Sequence, residues 1–170
     1  MIAPRNFLES EYENTRRALQ EANILVEVAS IKTDAATGYS YGVVQPDLDI
    51  DQATPERYDA VVVIGGYGAR DPLWGHAGLQ ALLKRVHAQD HLVAALCAAP
   101  PVLARTGLLE GRPATMWPDR NWVAELGAGG ARYVDEPIVL SGRILTGRDP
   151  RAANAFGRRI AELVKASVQR

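Results

Sequence analysis

The sequence predicts an α/β protein, a doubly wound and mostly parallel sheet sandwiched by helices. Three observations predict it. Apolar runs at 59–64 and 91–96 suit strands buried on both faces of a parallel sheet. Stretches with apolar residues at three- and four-residue spacing alternate with those runs. The first run closes on Gly65-Gly66, the break expected where a buried strand gives way to a loop. Alternating βαβ units of this kind imply right-handed crossovers.

The elements follow in order. A helix is predicted over 9–22, with Tyr12, Thr15, Ala18, Leu19 and Ala22 on one face. Residues 24–29, Ile-Leu-Val-Glu-Val-Ala, read as a strand. After the 59–64 strand, Leu79, Leu82, Leu83 and Val86 make a helical stripe over 77–88. The 91–96 strand comes next, then helices over 99–106, 119–127 and 150–168. In the last of these, Ala155, Phe156, Ile160, Leu163 and Val164 are expected to face inward. Segments 131–140 and 143–147 read as a hairpin around Ser141-Gly142. The first strand is short: only Met1-Ile2-Ala3 precedes the first helix in the place of a central strand. Either that strand is a stub or the reading frame continues upstream, adding several apolar residues before Ile2; the second is the expectation.

Composition narrows the function. The 170 residues read as one domain, 1–170, and 47% hydrophobic residues can bury a full core. Nineteen basic residues oppose twenty acidic ones without a long like-charge run, so a nucleic-acid groove is not expected. A small anionic substrate remains compatible with that balance. A single cysteine allows no intramolecular disulfide, and a thiolate metal site would lack partners; no metal or cofactor is called for. No apolar run approaches the ~20 residues that span a bilayer, and the start has no signal-peptide pattern. The cytoplasm is the expected compartment.

Cys97 is the residue that carries chemistry. It ends the 91–96 strand and precedes Ala98-Ala99-Pro100-Pro101, a helix start with proline in its first turn. Strand, nucleophile, small residues and helix form the pattern of a nucleophile elbow, where bulky neighbours would clash. A thiol aimed at a helix N-terminus is expected to be anionic near neutrality. At a pKa of ~8.5 only about 3% of a thiol is ionised at pH 7. The competing reading is an inert buried cysteine.

Two segments are similar to the paired signatures of the DJ-1/PfpI superfamily: Tyr58-Asp59-Ala60-Val61-Val62-Val63-Ile64-Gly65-Gly66-Tyr67-Gly68-Ala69 and Val93-Ala94-Ala95-Leu96-Cys97-Ala98-Ala99-Pro100. Gly107-Leu108-Leu109-Glu110-Gly111-Arg112 with Ala114-Thr115, Tyr133-Val134-Asp135-Glu136 and Leu145-Thr146-Gly147-Arg148 follow in family order. The resemblance implies a flavodoxin-like doubly wound sheet and a glutamate of the first helix contacting the cysteine. Glu11 matches that position, with Glu9 and Glu13 as neighbouring alternatives. Its physical role would be a buried, protonated acid that hydrogen-bonds to the sulfur. Gly65, Gly66 and Ala98 resemble the backbone that faces the sulfur as an oxyanion hole would; a plain tight turn would also need the glycines.

The chain departs from the family's peptidases, which carry a histidine directly after the cysteine. Here that residue is Ala98, and Trp117 stands where DJ-1 brings a histidine from the segment after Ala114-Thr115. His76, His87 and His91 match no family base position. Asp71 matches an acid that peptidase members lend across a subunit interface. Without a base, amide hydrolysis through an acyl-enzyme is poorly supported. The resemblance therefore implies first a stress-response protein with an oxidation-sensitive cysteine, its partner an oxidant or a small carbonyl compound. A glyoxalase or deglycase acting on methylglyoxal comes second, and a PfpI-type cysteine peptidase third. A homodimer is expected because the family is generally oligomeric.

Overall fold

The computed structural model describes residues 1–168. Its strands are β1 (Arg5–Phe7), β2 (Ala29–Ser30), β3 (Ala36–Gly38), β4 (Val43–Val44), β5 (Leu48–Asp49), β6 (Ala60–Val63), β7 (Leu92–Leu96), β8 (Pro113–Ala114), β9 (Arg132–Tyr133), β10 (Ile138–Ser141) and β11 (Ile144–Gly147). Its helices are α1 (Glu9–Glu21), α2 (Arg70–Trp74), α3 (Ala77–Ala88), α4 (Pro100–Arg105), α5 (Arg120–Ala128) and α6 (Ala153–Val168).

The two apolar runs of the sequence become neighbouring strands. β6 pairs with β7 in parallel, Val61 opposite Val93 and Val63 opposite Ala95. β11 continues the sheet in parallel on the other edge of β7, and β10 closes it antiparallel. All five residues of β7 are buried, so helices cover both faces. α6 packs on β7 and β11 with α1 against it, while α3 and α4 pack together and against β7. This is the doubly wound arrangement that the sequence predicts.

The α1–α6 contact is close because α6 carries a glycine at the crossing. A Cβ on Gly157 would lie 2.8 Å from the Cβ of Ala18 and 2.9 Å from the carbonyl oxygen of Thr15. Phe156 is fully buried beside it, and its ring would meet a Cβ placed on Gly147. Such a small-residue crossing fixes how α1 presents its buried face, and with it Glu11, toward the sheet.

Several elements differ from expectation. The 24–29 strand forms only at Ala29–Ser30, which pair with β5; residues 24–28 make no strand. A strand needs a hydrogen-bonding neighbour, and beside 24–28 there is an open groove. Met1–Ala3 are not a full strand either, but they do sit centrally: the Met1 nitrogen donates to Val62 O at 2.7 Å, Ile64 N donates to Met1 O, and Ile2 N donates to Ala29 O. The hairpin is limited to β10 and β11, turning at Gly142 with φ 62°. Residues 132–133 instead pair with β8. Residues 150–152 form a single tight turn before α6. Ala155 is exposed, because the inward stripe runs through Ala153, Phe156, Ile160, Ala161 and Val164, with Leu163 half-buried. β1, β3, β4 and the short α2 have too few residues for periodicity to reveal.

The register of α6 is testable. Phe156→Ala is expected to cost about 3–5 kcal/mol and lower Tm by roughly 10 °C, whereas Ala155→Gln stays within about 0.5 kcal/mol. Thermal and urea unfolding of the two variants would check both values.

Candidate active site

The site begins with a backbone turn. Cys97 follows β7 with φ 58°, left-handed backbone that costs a residue with a Cβ roughly 1–2 kcal/mol. Four hydrogen bonds hold the turn: Cys97 N donates to Gly147 O, Trp117 N to Cys97 O, Ala99 N to Leu96 O, and the buried Trp74 indole to Ala98 O at 2.7 Å. Ala98 and Ala99 are fully buried, as the small residues of an elbow must be.

The loop after β6 closes over this turn. A Cβ on Gly65 would lie 2.6 Å from Leu96 O and 2.8 Å from both Ala98 N and Glu11 Oε2, so only glycine fits. Gly66 has φ 97°, with Asn6 O and Leu8 N each 2.5 Å from where a Cβ would stand. The two glycines divide their amides. Gly65 N donates to Glu11 Oε2 at 3.0 Å, and Gly66 N faces the sulfur together with Ala98 N. The expectation that both glycine amides face the sulfur is corrected in that respect.

Among the three candidate glutamates the structure brings only Glu11 to the cysteine. Glu11 is 0% exposed, its carboxyl approaches the Cys97 thiol, and its Oε1 is buried with no partner among the described residues. Glu9 instead accepts from the amides of Ser40 and Gly42, and Glu13 is exposed. Burial raises the Glu11 pKa to about 7; its contacts with Cys97 and Gly65 oppose the rise and Asp149 adds to it. Burial likewise pushes the Cys97 thiol far above its ordinary value, reinforced by the neighbouring Glu11 carboxyl, while the Gly66 and Ala98 amides only oppose it. That direction is opposite to the one expected from the sequence. Helix α4 has only six residues, and desolvation outweighs the two amides.

Above the sulfur lies a pocket of about 200 Å³ walled by Leu8, Tyr39, Tyr67, Trp117, Trp122 and Pro150. Tyr67 stands edge-on to Trp122, which stands edge-on to Trp74. Cys97 is 6% exposed at the pocket floor. Trp117 forms part of the wall; Asp71, matched to an acid lent to a partner subunit, has a side chain 93% exposed beside Arg70 and lies outside this pocket. None of the three histidines lines the pocket; His76 caps α3, its Nδ1 accepting from Leu79 N. Tyr39, Tyr67 and Trp122 are wall residues that the sequence reading missed. Tyr67 alone carried a signal, directly after the glycine pair.

The whole-chain comparisons bear on this constellation. The sequence profile of the DJ-1/PfpI family matches residues 1–163. The chain belongs to the DJ-1/PfpI family. Among proteins similar to it, an uncharacterized protein of Methanocaldococcus jannaschii is 30% identical, over 97% of this chain and 80% of its own. Protein dj-1beta of Drosophila melanogaster is 31% identical, over 91% of this chain and 82% of its own. A deglycase of Pyrococcus horikoshii is 27% identical, over 86% and 87%. The crystal structure of a ThiJ/PfpI domain protein from Brachyspira murdochii shares the fold with a TM-score of 0.91 at 24% identity, over 97% of this chain and 94% of that one. No helix of the described residues is long and apolar enough to cross a membrane.

The buried acid has a signature in stability. Glu11 titrates near 4.5 when unfolded and about 7 when folded, so the folded state holds the extra proton between those values. Stability from this group is present at low pH and lost as pH rises to 7. The Met1 amine, lowered from 8.0 to about 5 by burial, gives the opposite slope, so the informative quantity is a difference. From pH 5 to 8 the wild type should lose on the order of 3 kcal/mol relative to Glu11→Gln, measured by urea unfolding at each pH.

Proposed function

We propose that this DJ-1/PfpI protein is a stress-response protein whose Cys97 is oxidised and held in oxidised form by its pocket. The observation that carries the reading is the Glu11 carboxyl, buried against the sulfur with one oxygen unpartnered. A protonated Glu11 can donate to an oxygen bound on sulfur, and the Gly66 and Ala98 amides can donate to that oxygen or a second one. Loss of the thiol proton to solvent exposes a sulfur lone pair to a peroxide. The sulfur takes one oxygen as the O–O bond breaks, giving the sulfenic acid and water, and a second peroxide gives the sulfinic acid and another water. With no second cysteine in the chain, a sulfenic acid cannot condense with a thiol of its own subunit, which favours the second step. A limiting dose of peroxide should add two oxygen atoms to the intact mass and none to Cys97→Ser. Glu11→Gln should accumulate the one-oxygen form or pass through it more slowly. An unchanged wild-type mass would remove the reading.

A second reading rests on the pocket walls and on the relative named a deglycase. The small aromatic chamber has no charged wall residue, which suits a compact uncharged dicarbonyl such as methylglyoxal. Sulfur would bond to the aldehyde carbon as its thiol proton is lost, and Glu11 would give its proton to the carbonyl oxygen, leaving a hemithioacetal. Formation of lactate from methylglyoxal, abolished in Cys97→Ala and reduced ~10²-fold or more in Glu11→Gln, is the expected outcome; no lactate at micromolar enzyme would leave oxidation alone. Peptidase chemistry has no support here, since Ala98 follows the cysteine and no histidine faces the pocket.

A further inference from the structure

The chamber above Cys97 is walled by rings that brace one another. Tyr39 comes from the turn after β3, Tyr67 from the loop after β6, and Trp117 and Trp122 from the segment that opens α5. The Tyr39 turn is tied down by the Glu9 carboxyl, which accepts from Ser40 N at 2.7 Å and Gly42 N at 3.0 Å. Tyr39 leans on Tyr67 with ring centroids 6.1 Å apart, and Tyr67 meets Trp122 edge-on at 5.7 Å. Trp122 in turn meets Trp74 at 5.9 Å. Trp74 is itself fixed, bonded to Ala98 O and covered by the Arg105 guanidinium. A ligand therefore enters a wall that is already ordered.

Polarity is divided between floor and walls. The floor offers the sulfur and the Gly66 and Ala98 amides; the walls are Leu8, Pro150 and the rings, with no charged side chain. The chamber's volume of about 200 Å³ is that of roughly six or seven waters. Hydrogen peroxide has two heavy atoms and is polar at both ends, so on the floor it leaves water standing against the rings. An oxidant with one polar end and a compact apolar body displaces that water while its polar end reaches the amides. A charged body would lie unpaired among the rings.

We propose that the oxidant this site selects is a compact, uncharged organic hydroperoxide, its alkyl or aryl group seated among Tyr39, Tyr67, Trp117 and Trp122. The inference rests on the oxidation reading of Cys97 and names its substrate class. The sulfur bonds to the terminal oxygen of the hydroperoxide as the O–O bond breaks. Sulfur loses two electrons to the peroxide, the departing alkoxide takes the thiol proton, and the products are a sulfenic acid and an alcohol. A second equivalent carries the sulfenic acid to the sulfinic acid in the same way. The two amides face the oxygen left on sulfur. Tyr39 and Tyr67 are more than half exposed, so the rim stays open for the alcohol to leave.

Intact mass gives the second-order rate of oxygen addition to Cys97 by hydrogen peroxide, tert-butyl hydroperoxide and cumene hydroperoxide. The same three rates with N-acetylcysteine correct for intrinsic reactivity. The ratio of organic to hydrogen peroxide rates should exceed that of the free thiol roughly tenfold or more. Trp122→Ala should lower the protein's ratio roughly threefold or more, as should Tyr67→Ala at a residue 66% exposed, where folding is less at stake. A ratio equal to the free thiol's overturns the inference and leaves Cys97 oxidation standing. A wild-type ratio in both variants overturns it too. Failure of all three oxidants to add oxygen overturns the oxidation reading and this inference with it.

Discussion

Cys97 is held in left-handed backbone at the end of a wholly buried strand, and the pocket is arranged around that turn. The strain is tolerated because the turn is bonded on every side: to β11 through Gly147, to the loop before α5 through Trp117, and to α2 through the indole of Trp74. The same turn explains the glycine at 65. With the chain reversing so tightly, Leu96 O and Ala98 N lie where a Cβ of residue 65 would be, and the Glu11 carboxyl fills what space remains. Sulfur, carboxyl and amides are thus brought together by one backbone conformation and by the α1–α6 crossing that aims Glu11 inward.

The electrostatic state of the floor follows from its dryness. Two acidic groups share a volume with three amide donors, Gly65 N on Glu11 and Gly66 N with Ala98 N on the sulfur, so the site resists carrying two charges. A thiol in this setting is less nucleophilic at rest than one beside a histidine. Under the oxidation proposed above, oxygens added to the sulfur would take up Glu11's proton and the amides' hydrogens.

Much of this was legible in the chain. Unbroken apolar runs marked β6 and β7, the small residues after Cys97 marked the turn, and the family signature picked Glu11 from three candidate glutamates. Other features depend on tertiary placement that no local pattern encodes. Tyr39, Tyr67 and Trp122 come from three separate segments that meet at the pocket, with the loop at 39–42 tied to Glu9. The upward push on the thiol's pKa is not legible, because the sequence shows a helix start but not its length or the desolvation around it. Residues 24–28 carry a genuine strand pattern; strand formation depends on a neighbour as well as on the segment itself, and there the local reading had no purchase.

The distribution of indoles has a practical side. The protein has three tryptophans; Trp117 and Trp122 wall the pocket, and Trp74 hydrogen-bonds to the residue after the cysteine. Ultraviolet emission from this molecule therefore originates almost entirely within a side chain's reach of the sulfur. The protein is its own optical reporter, and quenching or a spectral displacement monitors events at the sulfur without any attached dye.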